Sequence, residues 1–199
     1  MQVDPARAVF LYPVTFASNR NFCAKILEEW EQKAVALLDS REQVDNRQEL
    51  KGVVSLIGIA KRAVIKEEAG DSHLILVNES RVVALLAADS AAGVFKIHSL
   101  VFSPGYLFVE KVPLLRQVIP LIEMFALGRG CHKMQVQMPA SSVPMFQEVG
   151  FSNPEVIKEA MDLTRLKREL PEGESLKTCD SARKECFYYH EFSDVDRGL

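Results

Sequence analysis

At 199 residues, with 48% hydrophobic residues, 26% charged residues and a net charge of −3, the chain has the make-up of one globular domain, long enough to bury a core without staples. The mild acidity gives no basic footprint for nucleic acid, and no run of about 18 apolar residues marks a membrane span. Four cysteines without CxxC spacing and four histidines outside any ligand pattern imply no metal site and reduced thiols in a cytosol-like, cytoplasmic setting.

The N-terminal residues lack the basic region and apolar core of a signal peptide, and they leave room for an organellar transit peptide already removed. Val9 to Phe16 reads as a short strand, and Pro13 assigns it to a sheet edge. Ser18 or Asn19 offers an N-cap, and Phe22, Ile26, Trp30, Ala34 and Leu37 recur at helical spacing to about residue 39. After a polar loop, Asn46 and Glu49 form a capping-box-like start. Leu50, Val53, Val54, Ile57, Val64 and Ile65 then carry one apolar stripe to about Glu68.

Three strands follow as an antiparallel meander: His73 to Val77, Arg81 to Ala88, and Val94 to Phe102, with turns at 78–80 and 89–93. Pro104 and Gly105 end the third. A helix runs from about Val112 to Leu127, with Pro113 suited to its first turn and Pro120 kinking it. Lys133 to Met138 alternates as a strand. Ala140 to Glu148 is a short helix stopped by Gly150. Ile157 to Leu166 and Glu185 to Phe192 are candidate strands in a tail whose 171–181 stretch is polar. Cys131 and His132 are neighbours, and neighbours on a strand face opposite ways, so they make no catalytic pair.

The stretch from Phe95 to Phe151 carries the chemistry. Leu100-Val101-Phe102-Ser103-Pro104 ends a strand, a loop leads to a helix, and the segment closes with Phe146-Gln147-Glu148-Val149-Gly150-Phe151. This order resembles the GCN5-related N-acetyltransferase (GNAT) superfamily, well over Arg81 to Phe151 and in element order before it. The resemblance implies a single α/β (α+β) domain over 1–199: a mixed, mostly antiparallel sheet flanked by helices. It also implies acetyl-CoA or another acyl-CoA as cosubstrate, no metal, and an amine-bearing small molecule or protein as acceptor. It implies no nucleic acid or membrane partner and leaves the oligomeric state open.

In the family, a loop with an Arg or Gln and glycines binds pyrophosphate at the helix N-terminus, where free N–H groups and the positive dipole end favour an anion. Leu107 stands at the Arg/Gln position here, and Phe108, Glu110 and Val112 at the glycine positions. Lys111 and Arg116 are the nearby cations that can compensate. Strand N–H groups near Val101 and Ser103 are the expected partners of the acyl oxygen and pantetheine arm. Pro139 falls on the family's Asn, and Phe146 on the Tyr that protonates the leaving thiolate. Ser142 is the candidate donor in its place, and also a plausible helix cap. His98 is the candidate base for the acceptor amine, or an ordinary strand histidine. Two functions follow: an N-acyltransferase in which the amine attacks the thioester directly, or a GNAT-derived module that binds a ligand or protein without catalysis.

Overall fold

The computed structural model describes residues 9–14, 17–40, 47–65, 73–78, 81–106, 111–157 and 163–171. They form strands β1 (Val9–Pro13), β2 (Leu74–Asn78), β3 (Arg81–Ala91), β4 (Val94–Phe102), β5 (Lys133–Pro139), β6 (Ser152–Val156) and β7 (Leu163–Glu169). The helices are α1 (Ala17–Asp39), α2 (Arg47–Ile65), α3 (Val112–Gly128) and α4 (Val143–Glu148). One seven-stranded sheet runs β1-β2-β3-β4-β5-β7-β6. Every neighbouring pair is antiparallel except β4 and β5, which α3 connects in parallel. This is the mixed sheet the sequence implied, with β1 at the edge as Pro13 required.

Helices cover both faces. Alternation along β2 and β3 sends Ile75, Val77, Leu85 and Ala87 toward α1 and α2, where Leu27, Trp30, Leu56 and Ile57 meet them. Leu74, Leu76, Leu86, Phe95 and Ile97 point to the other face, against Leu115, Val118 and Ile122 of α3 and Phe146 of α4. Strand residues that alternate between faces each bury an apolar side chain, so both faces require a helical layer.

Several boundaries differ from the sequence reading. β3 continues through Asp89 to Ala91, and the turn shrinks to Ala92-Gly93, both at positive φ (51° and 73°). Two such residues match the right-handed twist of the strands they join. The single strand expected over Ile157 to Leu166 is replaced by β6 and β7. Every residue of β6 is exposed, so it carries no alternation for a sequence reading to find. Residues 140–142 form a 3-10 turn rather than the start of α4, and α1 begins at Ala17, leaving Asn19 buried inside it. The expected strand at 185–192 and the loop positions Leu107, Phe108 and Glu110 lie outside the described residues.

Candidate functional site

The site begins with one extra residue. Ala87 pairs with Ser99 and Ala88 with Ile97, so His98 has no opposite number and forms a bulge in β4. The bulge bends β4 away from β5. The two strands pair from Val94–Lys133 to Ile97–Val136 and then diverge, while β5 stays paired with β7 through Pro139. Among the described residues, no strand pairs with β4 beyond Ile97 on that side.

The divergence decides which backbone groups are available. The Ser103 N–H donates to the Val83 carbonyl at 2.9 Å, toward β3. Antiparallel ladders alternate, so Val101, opposite Leu85, also faces β3, and the N–H groups of Leu100 and Phe102 face the gap. Leu100 and Phe102 are the neighbours of Val101 and Ser103, near which the backbone donors are expected. Val101 still lines the gap with its side chain.

A cavity of about 30 Å³ lies between the diverging strands, lined by Leu100, Val101 and Phe102 of β4, Met138 and Pro139 of β5, and Glu49, Val53 and Leu56 of α2. Lys111, Ser142, Met145 and Phe146 complete it. That volume holds about one water. α2 closes it tightly. A Cβ on Gly52 would lie 2.7 Å from the Pro139 ring, so only glycine lets the helix come this near. Ser99 Oγ donates to the Leu56 carbonyl at 2.7 Å and pins the middle of α2 to the bulge.

The structure sorts the predicted residues. Lys111 precedes α3 at the mouth of the cavity, and its Nζ lies 3.6 Å from Glu49 Oε1, with the lysine side chain only 11% exposed. Burial pulls the Lys111 pKa down, against the upward pull of Glu49. Val112, in a family glycine position, starts α3 with its side chain in the core. Arg116 turns away from this cavity: it is 66% exposed, 3.8 Å from Glu148, and lines a separate groove. Ser142 makes no side-chain cap bond to α4, and lines the cavity. Phe146 is buried edge-on against Phe151 at 5.7 Å. Cys23 is fully buried and pushed up to about 12, a thiol with no nucleophilic form near neutrality. Cys131 is buried and His132 exposed, and both precede β5 rather than lying in it.

The bulge also organises a polar cluster. His98 and Asp89 both lie on the α2 face, and His98 Nε2 is 2.5 Å from Asp89 Oδ2. The Ala88 N–H donates to His73 Nδ1 at 3.0 Å. Burial holds the His73 pKa below its ordinary value of 6.5, and the nearby His98 ring pushes the same way. The unfolded chain therefore takes up a proton at a higher pH than the folded one. The neutral ring's contribution is complete above about pH 6.5 and is lost as the pH falls toward the lower folded value. His73→Gln keeps an acceptor for Ala88, so urea midpoints measured from about pH 5 to 7 should depend less on pH in the variant.

No family model and no curated protein sequence matches the chain. Solved structures do. The PaiA N-acetyltransferase of Thermoplasma acidophilum in complex with coenzyme A matches at a TM-score of 0.51 and 10% identity, over 81% of this chain and 99% of that one. A GCN5-related N-acetyltransferase from Rhodopseudomonas palustris matches at 0.50 and 18% identity, over 85% and 99%. A spermidine N-acetyltransferase SpeG chimera from Vibrio cholerae and hSSAT matches at 0.50 and 10%, over 81% and 94%. The chain has the GNAT fold: its mixed sheet and flanking helices match those of N-acetyltransferases over most of its length. Among the described residues no helix is long and apolar enough to cross a membrane, and no cluster of three ligating side chains is placed to hold a metal ion.

Proposed function

We propose that the chain is an acyl-CoA-dependent N-acyltransferase whose thioester arm lies in the gap between β4 and β5. The observation that carries this reading is the divergence after Ile97 and Val136, which aims the Leu100 and Phe102 amides at a cavity rather than at a strand. An acyl thioester supplies an activated carbonyl for transfer to a primary amine. Around it the chain supplies donors for the carbonyl oxygen and arm at Leu100 and Phe102. Lys111 is a cation for a phosphate at the mouth, Ser142 a hydroxyl for the sulfur, and His98 a base for the amine. The donor chemistry fits the arm. The 30 Å³ volume does not, so admission of the arm requires α2 to move off Pro139. The acceptor is an amine-bearing small molecule or protein, and the setting cytoplasmic.

The closed cavity and the Glu49–Lys111 pair favour a second reading, a GNAT-derived binding module without catalysis. CoA binding separates the two. On the first reading, CoA at 100 times its dissociation constant raises stability by about 2.7 kcal/mol. At about 2–4 °C per kcal/mol for a chain of this size, thermal denaturation moves by roughly 5–11 °C. An unchanged transition at millimolar CoA leaves the binding module.

A further inference from the structure

We infer that His73 is a proton-operated latch: its neutral ring extends the β2–β3 ladder by one bond, and a proton on that ring frees the end of the hairpin that joins the two halves of the sheet. The latch is independent of which functional reading holds, since it governs how β4 and β5 are kept together. β2 begins at Leu74, opposite Leu86, and β3 runs on beyond that pair. At Ala88 a side chain takes over as acceptor, and the N–H donates to His73 Nδ1 at 3.0 Å. Ala88 is 0% exposed and His73 6%, so water does not compete for this bond. The stretch of β3 that it secures carries the seam. Ala88 to Ala91 pair with Ile97 to Val94, and Val94 to Ile97 are the residues of β4 that pair with β5.

A proton reverses the contact. Nδ1 accepts only while its lone pair is free, and once protonated it is a second donor facing the Ala88 N–H. The amide then regains a partner only by opening to water. Nε2 is buried and has no hydrogen-bond partner of ordinary geometry among the described residues, so the Ala88 bond is what orients the ring. The surroundings set the threshold. Burial opposes the proton most, and His98 on β4 opposes it too. The Ala63 carbonyl of α2 and Asp89 on β3 favour it. His98 and Asp89 are themselves bonded at 2.5 Å. On α2, Lys61 is bonded to Glu31 of α1 and Arg62 is exposed. β2 carries no charged side chain, and on β1 only Tyr12 titrates. The latch therefore stays shut at neutral pH and opens on the acid side of the ordinary histidine value of 6.5.

The test is a titration of the full chain from about pH 7.5 to 4.5, with ring 15N spectra and amide hydrogen exchange at each point. His73→Gln assigns the ring and keeps an acceptor for Ala88. At neutral pH the His73 ring should carry its hydrogen on Nε2. As it takes up a second proton, the Ala88 protection factor, corrected for the intrinsic pH dependence of exchange, should fall by about 10-fold or more. Protected amides among 94–97 and 133–136 should lose protection with it, while those of β1 and the middle of β2 hold theirs. In His73→Gln, Ala88 protection should not follow pH. His98→Gln should raise the midpoint of the His73 titration, and Asp89→Asn should lower it. The latch is refuted by a ring with its hydrogen on Nδ1 at neutral pH, by a ring that stays neutral until the chain unfolds, or by an Ala88 amide that keeps its protection as the ring titrates. A loss confined to Ala88, with the seam amides unmoved, refutes it as well.

Discussion

On the acyltransferase reading, Glu49→Gln should tighten CoA binding by roughly 10- to 100-fold. Glu49 lies in the first turn of α2, and its carboxylate holds Lys111 from 3.6 Å in a largely buried pair. A diphosphate arriving at this mouth must take Lys111 from Glu49 and tolerate a carboxylate beside it. The glutamine keeps the shape and removes the competing charge. A hydrogen bond to a charged group is worth about 1.5–3 kcal/mol, and each 1.4 kcal/mol is a factor of ten in affinity. Calorimetric titration of wild type, Glu49→Gln, Lys111→Ala and the double variant reads the effect. On the same reading Lys111 is the phosphate's partner, so the gain should vanish in the double variant. Equal affinities for wild type and Glu49→Gln would mean that the pair guards nothing.

Arg168→Ala should cost about 3–5 kcal/mol of stability. Arg168 on β7 holds three elements at once. Its Nε lies 2.6 Å from Glu123 Oε1 on α3, its Nη1 donates to the Val149 carbonyl after α4, and its guanidinium lies 5.9 Å from the Phe151 ring centroid. Glu123 is only 14% exposed, so removing the cation strands a carboxylate away from water. Arg168→Met with Glu123→Leu should recover most of the loss, since a buried ion pair is often matched by apolar side chains of similar volume. Urea unfolding of the three variants decides this. The same contact accounts for Gly150. Its φ is 90°, and a Cβ there would lie 2.6 Å from Arg168 Nη1.

Where a sequence signal was strong, the structure follows it. The apolar alternation of β5 and the stripe of α2 each record a face that must be buried, and burial is what a sequence reports well. The functional chemistry depends on register, which it reports poorly. Reading Asp89 as the start of a turn hid its place on β3 beside His98, since nothing in Ala-Asp-Ser-Ala-Ala-Gly marks where the ladder ends. The bulge at His98 is a one-residue mismatch between two strands and is invisible in either alone. It sets which amides of β4 face the gap, those of Leu100 and Phe102 beside Val101 and Ser103. Glu49 read as a helix-capping carboxylate, and only the folded chain sets it against Lys111, more than sixty residues away. Ser142 was recognisable by position, and its freedom from capping was not.

The parting of β4 and β5 has a mechanical consequence. The sheet is two panels, β1 to β4 and β5-β7-β6, joined in-plane by the four pairs from Val94–Lys133 to Ile97–Val136. A small rotation about that short seam widens the open end while every ladder inside each panel stays intact. Such rocking is resisted by what bridges the panels: the shared core under α3 and α4, and Gly52 of α2 against Pro139. The slot can thus grow at its open end without any strand having to unfold.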